Sequence, residues 1–444
     1  MPILSEAEAK ALLTKVLGYS KADECEVNLN GSDGGNIRYA LNAVSTSGGI
    51  SNNTLVVSSA FGKKLGVATI NEFDDASLEK VVRRAEDIAR LAPENPEFVS
   101  FLGPQQYAES ATYVPATAAM TPKDRADAVA ASLAVADANK QTAAGFLENS
   151  ASFASMMNSH GLFAYNTATN VAFNVTLRTS DSRGSGYASK GYNDFRQLDV
   201  KTATTIASQK ASGSVEAKAI EPGKYTVILE PAAVSVLLEN ILFSLDARTA
   251  DEGRSFLSKP GGKTKLGEKL VDEKVTIYSD PQHPALPTST WTGDGRPQER
   301  ITWIDKGVMK NFYYSRYWAQ KKNVKAIPGP DSMIMEGGTS SLDDLIKSTE
   351  KGILVTRLWY IRTVDPQTLL LTGLTRDGTF YIENGKIQFP VKNFRFNESP
   401  IIMLNNIEAM GRPERCVSGE SNAHYLLPPL KVRDFTFTSL SDAV

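Results

Sequence analysis

A strand that runs directly into a helix apolar on nearly every side sets the terms for the rest of this chain. Residues 223–246 read GKYTVILEPAAVSVLLENILFSLD. Thr226, Val227, Ile228 and Leu229 form a short β-branched run of the buried-strand kind. Pro231 suits a first helical position, where its missing N–H costs nothing. The spacing predicts a helix over 231–246 in which Val234, Val236, Leu237, Leu238, Ile241, Leu242 and Leu245 leave no wet face. Such a helix has to be enclosed by other elements. Glu239, Asn240 and Ser244 interrupt it, and buried polar groups need partners or are there for chemistry.

The remaining composition narrows the function classes. The chain has 444 residues, enough for two or three domains, and 48 Lys+Arg against 50 Asp+Glu. That balance argues against direct nucleic-acid binding, which calls for a basic face. No apolar run reaches the roughly 18–20 residues that span a bilayer, so no membrane partner is expected. MPILSEAEAKALL at residues 1–13 lacks a basic region leading into an apolar core, so no signal peptide is expected. Two cysteines, Cys25 and Cys416, exclude a disulfide scaffold and fit a reducing cytoplasm. Three histidines (His160, His283 and His424) are too few and too scattered for a self-contained His-based zinc site.

Taken in order, residues 4–18 pattern as a helix. Extended runs follow at 24–30, 37–45, 53–58 and 64–71, with GSDGG (31–35) and GG (48–49) read as turns between them. A helix is expected from Asp75 or Ser77 to before Pro93, a linking loop over 93–120, and a helix from the cap Thr121 to about Asn139. Residues 144–178 carry more strands, with Val171, Phe173, Val175 and Leu177 alternating strictly. RGSGYASKGYN at 183–193 reads as a loop. It lacks the Lys-Ser/Thr ending and the directly following helix that a phosphate cradle needs. A helix over 197–212 and a link over 213–222 complete the first half. The second half adds strands at 275–279, 300–304 and 353–360, and Asn384-Gly385 marks a hairpin. Without βαβ regularity the class is α+β: an N-terminal domain over 1–215, mixed α/β with antiparallel strands, and a β-rich C-terminal domain over 216–444 around the buried helix.

At PGKYTVILEPAA (222–233), DEGRSFL (251–257), KVTIYSDP (274–281), GDGRPQERITWIDKGVMKNFYYSRYWAQK (293–321), SLDDLIKSTEKGILV (341–355) and YIENGKI (381–387), in this order, the chain resembles the TldD/PmbA (TldD/TldE) family, once called modulators of DNA gyrase. Ser185-Gly186 matches a Ser-Gly pair of the family. In TldD members the central helix carries HExxxH, two metal-binding histidines and a general-base glutamate. Laid on that pattern, Glu239 takes the first His place, Asn240 the Glu place and Ser244 the second His place. The resemblance is therefore to the TldE/PmbA side, whose members lack the motif and pair with a TldD-type subunit. Cys416 falls at the place of a metal-binding Cys of TldD-type chains. The Gly-Lys-x-Gly-Gln run that usually follows is absent from RCVSGESNAHYLLPPLKVRDFTFTS (415–439).

The resemblance implies a non-metal subunit of a two-chain metalloprotease acting on unfolded or leader peptides. It implies no cofactor in this chain, and zinc in a TldD-type partner. Peptide would be held as an added strand on a sheet edge. Two further readings stay open: a homodimeric peptide-binding protein without catalysis, and a metal-independent hydrolase using Cys416 with His424. A metal held here by Glu239, Cys416 and His424 would need a distorted helix if Ser244 joined it, since 239 and 244 lie about 140° apart. The plainer expectation is that Glu239 and Asn240 cap or bridge to neighbouring strands, Ser244 bonds back to its own helix, and both cysteines pack as small apolar groups. His160 reads as a turn residue and His283 as a loop residue.

Overall fold

The computed structural model describes residues 3–441. Helix α1 (Glu6–Tyr19) leads into strands β1 (Glu24–Ala40), β2 (Ala43–Phe61) and β3 (Lys64–Ile70), then helices α2 (Asp75–Leu91), α3 (Pro115–Ala118) and α4 (Pro122–Ala138). Strands β4 (Gln141–Asn158), β5 (Phe163–Thr179) and β6 (Ser185–Tyr192) follow, then α5 (Val200–Gly213). The six strands form one antiparallel sheet in the order β3-β2-β1-β4-β5-β6. Period-2 alternation decides its faces. Cys25, Val27, Leu29, Leu55 and Val57 bury under α1 and α2, while Val171, Phe173, Val175 and Leu177 bury under α4 and α5.

The structure departs from two of these expectations. The glycine runs are not turns: β1 continues through GSDGG and β2 through GG. The chain reverses instead at Leu41-Asn42, both at positive φ (51° and 59°), a two-residue hairpin of the primed kind. Gly31 and Gly35 sit in the strand because other side chains cross there. A Cβ on Gly31 would meet Asn53 and Phe153, and one on Gly35 the Arg125 guanidinium. Likewise 183–193 is not a loop but mostly β6, paired with β5 from Val171↔Tyr192 to Arg178↔Ser185. Its small residues let α5 lie directly on the strand.

In the second half, β7 (Lys224–Leu229) and α6 (Pro231–Phe243) are the strand and helix predicted from 223–246. The helix stops at Phe243 because Asp246 caps the next short helix, Ala247–Asp251. Strand β7 pairs in parallel with Lys351–Asp365 and antiparallel with Leu430–Leu440. The ring continues through Phe394–Glu398 and Leu370–Glu383 and closes back onto Lys351–Asp365, so the five strands form a barrel-like sheet without a free pair of edges. The Asn384-Gly385 hairpin is present, with φ of 50° and 72°. A second six-stranded sheet runs Val308–Met309, Ile301–Asp305, Ile277–Ser279, Met333–Met335, His424–Leu427, Glu414–Val417. Helix α6 lies between this sheet and the barrel in one apolar cluster, which explains its all-round hydrophobicity. The class is α+β, with antiparallel pairing dominant in every large sheet. Among the described residues no helix is long and apolar enough to cross a membrane.

Candidate functional site

Helix α6 begins at Glu230, whose side chain makes no cap bond and reaches Lys210 of α5 instead. Pro231 at the first helical position needs no acceptor for a missing N–H. Two turns on, Glu239 is 3% exposed. Its Oε2 accepts from Ser421 Oγ at 2.8 Å and from Tyr425 Oη at 3.3 Å. Both donors come from the segment joining strands Glu414–Val417 and His424–Leu427 or from the second of these strands. Glu239 thus bridges the helix to the sheet that covers it, as expected. Asn240 does not: its Nδ2 donates to Val236 O at 2.8 Å within its own helix. Ser244 donates to Asn240 O at 2.8 Å, the expected back-bond.

Burial is the largest influence on Glu239 and raises its carboxyl above the usual range, while the hydroxyls of Ser418, Ser421 and Tyr425 pull it back. The folded chain therefore binds this proton more tightly than the unfolded chain. That contribution is full below the unfolded value of 4.5 and is lost as pH rises through the raised folded value. Glu239→Gln, held neutral, is expected to melt above the wild type at pH 7, with the gap narrowing as pH falls toward 4.5. Thermal melts across that range check this; a difference independent of pH contradicts it.

The strands Glu414–Val417 and His424–Leu427 pair antiparallel, with Cys416 opposite Tyr425 and Val417 opposite His424. Directly opposed residues share a face and sequence neighbours alternate. Cys416 and Tyr425 therefore face α6, and His424 faces the other way, onto Gly191 of β6, where a Cβ would lie 2.6 Å from its ring. The structure does not bring Cys416 and His424 together as a nucleophile and base. Cys416 is buried and its thiol is pushed up to about 12, chiefly by desolvation. His424 is held down to about 4 by burial and by the Arg415 guanidinium, whose Nη2 lies 2.9 Å from its Nδ1. Native Cys25 and Cys416 are both buried. A thiol reagent is expected to find almost no reactive thiol in the folded chain and both after unfolding.

As a donor set these residues do not fit a catalytic zinc. Glu239 already accepts two hydroxyl protons, and Asn240 and Ser244 are tied to the helix backbone. Among the described residues no group of three or more His, Cys, Asp or Glu is placed to share a metal ion. His160 and His283 lie elsewhere: His160 Nδ1 meets Phe101 O at 3.0 Å, and His283 Nδ1 accepts from Ala285 N at 3.2 Å.

Sequence reasoning did not find the segment 418–423 or the cavity beside it. At the C-terminal end of α6 a cavity of about 410 Å³ is lined by Leu242, Phe243, Tyr313, Ser421, Ala423 and Tyr425, among others. Phe243 is 66% exposed, unlike the rest of its helix. No motif announces this cavity, because its walls come from four separate stretches of chain.

The cavity, the enclosed helix and the barrel all fall within residues 222–439, and those residues match the PmbA/TldA metallopeptidase C-terminal domain. The C-terminal half of the chain belongs to the PmbA/TldD family. The chain is 22% identical over 457 aligned positions to metalloprotease PmbA of Escherichia coli O157:H7, covering 97% of this chain and 96% of that protein. A metalloprotease of Methanothermobacter thermautotrophicus is 23% identical over 289 positions, which span 60% of each chain. Two crystal structures share the PmbA/TldD fold from end to end. TldE from Thermococcus kodakarensis superposes with a TM-score of 0.83 at 20% identity, over 97% of this chain and 99% of that one. A putative modulator of a DNA gyrase from Thermotoga maritima gives 0.85 at 18% identity, over 97% and 100%.

Proposed function

We propose that this PmbA/TldD homologue is the metal-free, TldE-like subunit of a two-chain metalloprotease that cleaves unfolded or leader peptides. One observation carries the reading. The three places that hold HExxxH in TldD-type chains are filled by Glu239, Asn240 and Ser244, of which Glu239 is bonded to the covering sheet and Asn240 and Ser244 to the backbone of their own helix. In the proposed complex the TldD-type partner carries the zinc, which would lower the pKa of a bound water and polarise the scissile carbonyl. This chain contributes shape, a site for substrate and an incompletely apolar helix whose polar groups are already satisfied. The test is cleavage of an unstructured peptide by the purified chain, alone and with an HExxxH partner. Activity is expected only with the partner, and chelator-sensitive cleavage by this chain alone would overturn the proposal.

A second reading, a homodimeric peptide-binding protein without a catalytic partner, draws on the edge of the first sheet. Strand β3 pairs only with residues 55–61 of β2, so among the described residues no strand covers that side of residues 43–50. Residues 43–50 are exposed, uncharged and free of proline, which leaves a row of backbone groups open to an added strand. An equilibrium molecular weight at the dimer that is unaltered by any HExxxH relative favours this second reading. The hydrolase reading built on Cys416 has no support in the geometry, since His424 points away and the thiol is sealed.

A further inference from the structure

The strand Lys351–Asp365 loses register with its partner three times, between Val355 and Arg357, between Trp359 and Arg362 and between Thr363 and Asp365. At the second break Tyr360 adopts φ +58°, a conformation that a bulky aromatic residue rarely takes. The backbone there has left the ladder, and a side chain from elsewhere holds it. Glu420 Oε1 accepts from Tyr360 N at 2.7 Å and from Ile361 N at 3.3 Å. The result is an outward display of rings: Trp359 is 39% and Tyr360 50% exposed, their centroids 5.9 Å apart. Arg362 lies over the Tyr360 ring at 4.1 Å and Arg376 over Trp359 at 4.3 Å.

The bulge adjoins the cavity at the end of α6. Glu420, which holds Tyr360, is followed by Ser421, which lines that cavity and bonds Glu239. Rings at the bulge and Phe243, Tyr313 and Tyr425 at the cavity thus flank one short segment. The local charge is unbalanced. Arg357, Arg362 and Arg376 stand beside two carboxylates, Asp377 with Arg357, Arg376 and Ser185, and Glu420 with Arg362 and the bulge backbone, so three cations face two anions. Trp, Tyr and Arg are the residue types that most often dominate a binding surface, and strain in a bulky residue persists where the surrounding structure over-determines it.

Resting on the reading of this chain as a substrate-holding subunit, we infer that the Trp359–Tyr360 bulge and the adjoining cavity form a subsite for an extended peptide that presents a large apolar side chain beside a carboxylate. The apolar side chain contacts the rings, and the arginines that cover the rings meet the carboxylate. Fluorescence anisotropy of the whole chain without any partner tests this, using a short fluorescein-labelled unstructured peptide centred on Phe-Glu. Trp359→Ala is expected to weaken binding by about tenfold or more. The Phe-Gln version of the peptide should bind several-fold more weakly and with less dependence on salt. Tyr360→Gly removes a ring while relieving the left-handed backbone, so it should lose affinity without a lower melting temperature. Equal affinity in Trp359→Ala, absence of binding by the wild type, or a Trp359→Ala variant that keeps peptide affinity but no longer associates with an HExxxH chain would each overturn the inference. Because the assay involves neither a partner nor cleavage, its failure leaves the two-chain proposal to its own experiment.

Discussion

Gly186→Ala is expected to destabilise the chain by about 3 kcal/mol, lowering its melting temperature by roughly 3–4 °C. The added methyl is small, but it has nowhere to go. A Cβ on Gly186 would lie 2.1 Å from Ala207 O and 2.6 Å from Ala211 N, both backbone atoms of α5, and 2.8 Å from Lys210 Cβ. Backbone inside a helix cannot step aside as a side chain can, so α5 has to lift from β6 as a body. Gly48→Ala is the control. Its site in β2 is exposed with no atom within 4 Å, and that change should stay within about 0.5 kcal/mol. Urea denaturation of both variants checks this, and a Gly186→Ala midpoint equal to the wild type would show that α5 does not rest on the strand.

Lifting α5 also threatens the link that the second prediction addresses. Lys210 Nζ lies 2.8 Å from both carboxylate oxygens of Glu230, with the two side chains 14% and 15% exposed. Thr356 Oγ1 donates to the same carboxylate at 3.2 Å. Glu230 is the residue from which α6 starts, so the pair ties the helix layer of the first sheet to the head of the central helix. Lys210→Met strips the cation and leaves a largely buried carboxylate with one hydroxyl donor. The expected loss is about 3 kcal/mol, in the range for breaking a buried pair. Lys210→Met combined with Glu230→Gln should recover much of that loss, since no unpaired charge is then left inside. A double-mutant cycle by denaturation measures the coupling. Additive losses in the double variant would mean that the pair is solvated and holds nothing.

What could be read in advance, and what could not, follows from the range of the forces involved. The α4 cap at Thr121, the alternation of Val171 to Leu177, the Asn384-Gly385 hairpin and the strand-helix pair at 223–246 were all legible, because each is set by residues a few positions apart. So were the identities at the three places on α6. The glycine runs were misread for a physical reason. Glycine serves both a turn and a strand crossed closely by another group, and only the crossing group tells them apart. Arg125 over Gly35 and α5 over Gly186 are far away in sequence. Strand β6 was hidden in the same way.

The sequence by itself determined that one helix would be enclosed on all sides and that its polar residues would be Glu239, Asn240 and Ser244, since identity and hydrophobic periodicity are local properties. Only the tertiary structure decided what those residues do. It supplied Ser421 and Tyr425 to Glu239 from some 180 residues away, turned His424 from Cys416 by strand alternation, and set Tyr360 in a left-handed bulge through the carboxylate of Glu420. Hydrogen bonds and strand register join atoms that are close in space whatever their separation along the chain, so no local pattern could have announced them.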